Sequence, residues 1–494
     1  MNPSASKRRT RVVTSTIPSL DLRPYVAGRF VDATSGRYIE DHDPYTGDLL
    51  ASIPISGDPE VHQALAAAEA LSRDRAWTQG HEERRRLLLG LSEAILARHD
   101  EIAELEACDI GKPLVGVSAW DVKNAAAVYR MYGEMAGTWS DENLPAPDGY
   151  ELRTTQEPVG VVAALVPWNF PFPCIAWKIA PAIAAGCCVV LKSPERAPLS
   201  AQYLAHLVDE VGFPPGAISV LAGEGHDVGS ALVASPRVAK ITFTGGTEIA
   251  ATIMREAASH VPAFVLELGG KGANIVCDDA DLDAAVLGTV TAMFDVAGEN
   301  CCAGSRTIVT DAIYDRFCSQ LVETVRLRRV GDPLDLDTQQ GPLIDQRQVE
   351  RVDSYVQGAL AEGCSILTGG APEESVPNLY PPTVLADVDP NSKVAQEEIF
   401  GPVGTIIRAK DLSDAIALAN ATDYGLSASI WTADHANQKR FVEEMDVGVC
   451  WVNAFGFFEI VAPWGGRKRS GYGRELGREA IKEFLTPKTV YTPT

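Results

Sequence analysis

The ten cysteines of this 494-residue chain form none of the spacings that mark a metal centre or a disulfide framework. Neither Cys-x-x-Cys nor His-x-x-x-His occurs, which excludes the usual zinc patterns, and no metal is expected. Cys187-Cys188 and Cys301-Cys302 are merely adjacent, and a reduced, cytosolic setting fits this usage. Long apolar runs are also missing. Val159 to Val166, among the longest, is far too short to span a bilayer. Positive charge is scarce: 43 Lys and Arg against 66 Asp and Glu leave a formal charge of -23, which argues against nucleic acid and anionic membrane as partners. No clean Gly-x-Gly-x-x-Gly follows the first strand of the α/β region, so a search for the usual dinucleotide fingerprint passes over this chain. There is no fixed-period repeat and no low-complexity block.

Acidic residues are absent before Asp21, where Lys7, Arg8, Arg9 and Arg11 lie among Ser and Thr. This stretch lacks the apolar face of a transit peptide and reads as a disordered arm over 1–20. The remainder has the makings of a soluble globular protein, 46% hydrophobic and 22% charged, and its length calls for two large domains. Asp58-Pro59 reads as N-cap and first helical position, followed by Val61, Leu65, Ala68 and Leu71 at helical spacing. A second helical pattern runs through Leu88, Leu91 and Ile95, and a third follows Gly111-Lys112-Pro113. Between Ser140 and Glu157 the chain turns polar, as a protruding excursion would. From Pro158 onward, β-rich runs at Val159–Val166, Cys188–Leu191, Ile218–Leu221, Lys240–Phe243 and Ala273–Cys277 alternate with helical stretches. That alternation predicts parallel sheet with crossover helices, and the second half repeats it from Arg306–Val309 to Gly448–Val452.

Three segments carry chemistry. Cys301 lies in Gly298-Glu299-Asn300-Cys301-Cys302-Ala303-Gly304, a glycine-flanked turn that can present a thiol. Glu267 opens Glu267-Leu268-Gly269-Gly270-Lys271 and can activate a water. Asn169, in Pro167-Trp168-Asn169-Phe170-Pro171, supplies an amide for an oxyanion. Any one of them has a bland reading: a buried cysteine, a surface glutamate, a turn asparagine. Together they indicate covalent catalysis followed by attack of activated water. Phe243-Thr244-Gly245-Gly246-Thr247 sits between a strand and a helix, where glycines let backbone N–H groups approach a pyrophosphate. Glu195, in Lys192-Ser193-Pro194-Glu195, can accept the hydroxyls of an adenosine ribose and would repel a 2′-phosphate, favouring NAD over NADP, although Arg196 stands beside it.

These motifs, with Glu398-Ile399-Phe400-Gly401-Pro402 and Pro463-Trp464-Gly465-Gly466, resemble the ordered motif series of the aldehyde dehydrogenase superfamily over about Asp43 to Thr486. The resemblance implies an α/β fold: a Rossmann-like NAD-binding domain over 21–140 and 158–265, an α/β catalytic domain over 266–475, and a small β oligomerisation excursion from 141–157 and 476–494. It implies oxidation of an aldehyde to an acid in a homodimer or homotetramer, with Cys301 as nucleophile, Asn169 at the oxyanion and Glu267 activating water. It further implies cofactor contacts from Pro167, Trp168, Lys192, Glu195, Gly245, Gly246, Leu268, Glu398 and Phe400. Glu475 and Lys178 become candidates for a proton relay. Phe170, Trp177, Cys302, Phe458 and Trp464 match positions along the aldehyde tunnel, and Trp120-Asp121 is similar to the betaine-aldehyde and aminoaldehyde branch. Asp121 and Asp295 are therefore expected to meet a cationic substrate, and the expected aldehyde is ω-amino or aromatic. Three positions depart from the family pattern: Gly246 replaces a common Ser, Glu299 a common Gln, and Val296 stands where Asn is frequent.

Overall fold

The computed structural model describes residues 17–494 except 140, so most of the expected N-terminal arm lies outside the described residues. At its inner end Ile17–Ser19 forms one helical turn with Ile17 buried.

Five parallel strands organise the first sheet, in the spatial order Ile218–Leu221, Cys188–Lys192, Val161–Leu165, Lys240–Gly245, Ala263–Leu268. The Val161–Leu165 and Cys188–Lys192 strands are buried at every residue, because helices cover both faces of such a sheet. Short strands Tyr25–Val26, Arg29–Phe30 and Gly471–Tyr472 add antiparallel edges. The Ala263–Leu268 strand escaped the sequence reading. It places Glu267 on a strand end rather than in a turn, between Thr244 and Gly471. It also carries the first sheet past the expected boundary at residue 265, and Gly471–Tyr472 returns to that sheet from the far end of the chain.

The second sheet has the order Ser365–Thr368, Thr383–Ala386, Val403–Ala409, Arg306–Thr310, Ala273–Val276, Ser427–Trp431, Val449–Val452, parallel except at its first edge. Arg306, at the start of its Arg306–Thr310 strand, is buried and donates to the carbonyls of Lys271, Leu418 and Ala419, tying the loop after Glu267 to this sheet.

The helices fall where apolar spacing puts them. His81–Ala97 buries Leu88, Leu91 and Ile95. Asp58–Ser72 begins one residue earlier than the Asp-Pro signal suggests: Gly57 is the N-cap, and its N–H donates to the Glu60 carboxylate. The polar excursion becomes an antiparallel sheet of Glu142–Leu144, Tyr150–Pro158 and Leu485–Pro493. Leu485 at its inner end joins the core of the first sheet, and Tyr150 and Tyr491 are exposed.

Candidate active site

One cavity of about 1200 Å³ runs from the carboxyl ends of the first sheet, past Cys301, to a cluster of aromatic rings. Its centre is the loop that follows helix Leu282–Phe294. Val296, Ala297 and Gly298 take φ of 52°, 51° and 71° in succession. The two side-chain-bearing residues cost on the order of 1 kcal/mol or more each in that conformation. Packing fixes the turn: a Cβ on Gly298 would lie 2.1 Å from the Gly401 carbonyl oxygen. A Cβ on Gly270 would lie 2.6 Å from the carbonyl oxygen of Cys301, so glycine is what lets the two loops touch.

The two adjacent thiols have different surroundings. Cys301 is half-buried and faces the cavity. Cys302 is 1% exposed, with its Sγ 3.1 Å from Asn300 Oδ1 and its carbonyl accepting from Ser427 Oγ. The Cys302 side chain and burial hold the Cys301 thiol well above its ordinary pKa, so it rests protonated.

Asn169 and Glu267 reach the same space. The Asn169 amide donates one N–H to the Glu299 carbonyl at 2.7 Å, which fixes the side chain and leaves its second N–H for another acceptor. Glu267 is 4% exposed, and neither carboxyl oxygen has a hydrogen-bond partner. Burial, and then the nearby Glu475, raise its pKa well above the carboxylate range, against the pull of Lys178. Lys178 sits behind the cavity with its donors spent on Glu475, Thr242 and Thr244. Glu475 is held by backbone pairing with Trp464. Glu299, where a glutamine is common, is buried, accepts from the Ile344 N–H at 3.1 Å, and has its pKa raised by burial.

The remaining expected residues divide between the two ends. Pro167, Trp168, Lys192, Glu195, Gly245, Gly246, Leu268, Glu398 and Phe400 all line the cavity, at the end where the cofactor is expected. Lys192 Nζ meets Glu195 at 2.6 Å. Helix Thr247–Ala257 starts at Gly246 without a side-chain cap, and a Cβ there would meet nothing within 4 Å. Open first-turn N–H groups, a lysine and an acceptor carboxylate fit a pyrophosphate followed by a ribose. Arg196 pairs with Asp345 at 3.3 Å, yet it lines the cavity beside Glu195 and, after Lys192, helps hold that carboxylate ionised. Glu398 accepts the Gly270 N–H at 2.9 Å, and burial pushes its pKa up to about 7. Phe400, with φ of 61°, sets its ring edge-on to Trp168 at 5.3 Å. Sequence pattern gave no signal for Arg351 and Gln348, which anchor this loop by donating to the carbonyls of Glu398 and Phe400.

Phe170, Trp177, Phe458, Trp464 and Cys302 line the other end, and Asp295 lines it from a solvent-exposed position. Asp121 departs from expectation. It is fully buried, does not line the cavity, and is bonded to Lys112 at 2.7 Å. A π-turn at Val117–Asp121 rotates it inward and puts its neighbour Trp120 on the cavity wall instead.

The aldehyde dehydrogenase family model matches residues 30–490. An aldehyde dehydrogenase of Enchytraeus buchholzi is 40% identical over 475 residues, 95% of this chain and 96% of that one. Retinaldehyde dehydrogenase 3 of Mus musculus is 38% identical, over 93% of this chain and 90% of its own. The crystal structure of betaine aldehyde dehydrogenase from Staphylococcus aureus in complex with NAD+ overlays with a TM-score of 0.96 at 34% identity, covering 98% of this chain and 97% of that one. With a matching motif order, a matching fold and a thiol, amide and carboxyl gathered on one cavity, this chain belongs to the aldehyde dehydrogenase family.

Proposed function

We propose that the protein oxidises an aldehyde to a carboxylic acid with NAD+ and water, through an acyl group carried on Cys301. The observation that carries this reading is the shared cavity of Cys301, Asn169 and Glu267, on which Cys301 is the more exposed of the two adjacent thiols.

The Cys301 thiol loses its proton to Glu267 or to water as the sulfur bonds to the aldehyde carbon, giving a thiohemiacetal. Its oxyanion takes the free N–H of Asn169 and the Cys301 backbone N–H; one such donor contributes on the order of 3 kcal/mol to the transition state. NAD+, when bound, accepts the hydride that converts the thiohemiacetal to a thioester. Lys192 and Glu195 would hold its adenosine ribose, Gly245 and Gly246 its pyrophosphate, and Glu398 its nicotinamide ribose. Glu195 favours NAD over NADP, since a 2′-phosphate would place its charge against this carboxylate. Glu267 then takes a proton from the water that attacks the thioester, and Glu475 with Lys178 passes the proton on. A carboxyl with its pKa raised toward the working pH suits that task.

The exposed Tyr150–Pro158 and Leu485–Pro493 strands support assembly into a homo-oligomer, because their sheet has open edges and little core of its own. All ten cysteines are free, in keeping with a reducing, cytoplasmic setting. Among the described residues no helix is long and apolar enough to cross a membrane.

The test is NADH formation from simple aldehydes without coenzyme A. Turnover that vanishes in Cys301→Ala and survives in Cys302→Ala is expected. Turnover that requires coenzyme A would replace the hydrolytic reading with an acyl-transferring one.

A further inference from the structure

Behind the cavity wall, one residue joins parts that the reaction has to align. Glu299 is 2% exposed and does not line the cavity, so it is placed to touch neither aldehyde nor cofactor. It stands two residues before Cys301, where the left-handed run Val296–Gly298 ends. Its own N–H closes that turn on the Val296 carbonyl at 2.9 Å. Its carbonyl takes the Asn169 amide at 2.7 Å, which decides where the second N–H of that amide points. Its carboxyl accepts the Ile344 N–H at 3.1 Å.

Ile344 directly precedes Asp345, the N-cap of helix Gln346–Ala361. That helix sends Gln348 to the Phe400 carbonyl at 2.5 Å and Arg351 to the Glu398 carbonyl at 2.7 Å. Asp345 pairs in turn with Arg196 at 3.3 Å, and the Arg196 guanidinium lies 5.8 Å from the Trp168 ring centroid. The Glu299–Ile344 bond therefore ties the turn that carries the thiol to the helix that holds the loop of Glu398 and Phe400. Hydride transfer needs its reacting atoms about 3 to 3.5 Å apart, and small errors of placement are expensive. The two bodies that must meet to that tolerance are the two that this bond joins.

We propose that Glu299 is a positioning residue for the hydride-transfer step: its bond to Ile344 holds the Cys301 turn, and with it the Asn169 amide, in register with the loop of Glu398 and Phe400. The proposal rests on the aldehyde-oxidising reading of Cys301. The bond requires an acceptor and not a charge. Burial raises the Glu299 pKa well above the carboxylate range against the pull of the Ile344 N–H; Asp345 adds to the rise and Arg196 opposes it. The carboxyl therefore serves in its neutral form. Glutamine, which keeps an acceptor at the same reach, can replace it. Methionine, of like length, leaves the buried Ile344 N–H without a partner.

The experiment compares Glu299→Met with Glu299→Gln in the full-length enzyme, with NAD+ and benzaldehyde, either unlabelled or deuterated at the formyl carbon. Glu299→Met should lower kcat about tenfold to a hundredfold, the scale of a misplaced reacting group, and enlarge the deuterium isotope effect on kcat. The KM for NAD+ should stay within about threefold, and Glu299→Gln should keep kcat within about threefold of the unaltered enzyme. In an Asn169→Ala background the methionine substitution should cost only about threefold more, because the amide it misdirects is already gone. Glu299→Leu, which also lacks an acceptor, takes the place of the methionine variant if that one does not fold. Peptide mapping after iodoacetamide reads the turn without turnover: Cys302 should stay unlabelled in the unaltered enzyme and in Glu299→Gln, and become labelled in Glu299→Met. Equal kcat in the methionine and glutamine variants, an unchanged isotope effect, or losses that multiply fully with Asn169→Ala would overturn the proposal. Failure of the unaltered enzyme to oxidise any aldehyde would instead overturn the catalytic reading, and the labelling of Cys302 would still decide whether Glu299 holds the turn.

Discussion

The two ends of the cavity are built by different means. The cofactor end is largely backbone: Gly245 and Gly246, the open first turn of Thr247–Ala257, and the loop amide of Gly270 bonded to Glu398. The aldehyde end is side chain: rings from Trp120, Phe170, Trp177, Phe458 and Trp464 around the Lys112–Asp121 pair. Backbone donors can serve the same ligand whatever residues surround them. A box of rings and a paired charge can be re-tuned one residue at a time.

Variants at the junction should stop the chemistry with every aldehyde while leaving cofactor binding intact. Cys301→Ala should cost on the order of ten-thousandfold or more in kcat with every aldehyde, while NAD+ still binds, as followed by NADH formation and by calorimetry. Asn169→Ala should lower kcat about a hundredfold to a thousandfold and leave the KM for NAD+ nearly unchanged. Equal losses in both parameters would mean that Asn169 only shapes the turn. The pH profile sharpens the junction further. Below the raised pKa of Glu267 its carboxyl is neutral and cannot take a proton from water. The deacylation rate should therefore climb with pH through a value above the ordinary carboxylate range, and Glu267→Gln should flatten that limb.

Smaller effects should stay at one end. Glu195→Ala should raise the KM for NAD+ about tenfold, the scale of a hydrogen bond to a charged group, with aldehyde preference unaltered. Trp464→Ala should reduce kcat/KM for benzaldehyde relative to a short aliphatic aldehyde about fivefold, the scale of an aromatic contact. If Glu195→Ala shifted the aldehyde preference as much as Trp464→Ala does, the separation of the two ends would fail.

The same division explains what the sequence made legible. Phe243-Thr244-Gly245-Gly246 could be placed between strand and helix because each of those roles is set by its immediate neighbours. The alternation from Pro158 onward likewise predicts parallel strands, since each is a short apolar run bounded by turns. Glu267 was singled out, but its place on a strand was not, because the pairing with Gly471 joins residues far apart in the chain. Lys112 and Asp121 are nine residues apart, and their meeting depends on the path of the helical turns Leu114–Gly116 and Val117–Asp121 between them. Asp121 consequently lies behind the cavity wall and Trp120, for which the sequence suggested no place, lies on it. Arg351 and Gln348 act through long side chains onto loop carbonyls, for which spacing gives no sign.

The most direct measurement is intact-protein mass spectrometry of Glu267→Gln after incubation with benzaldehyde and NAD+, followed by peptide mapping. The account predicts one equivalent of NADH and a benzoyl group trapped on Cys301, with Cys302 unmodified. Acyl transfer to Cys302, or continued turnover with no trapped group, would contradict it.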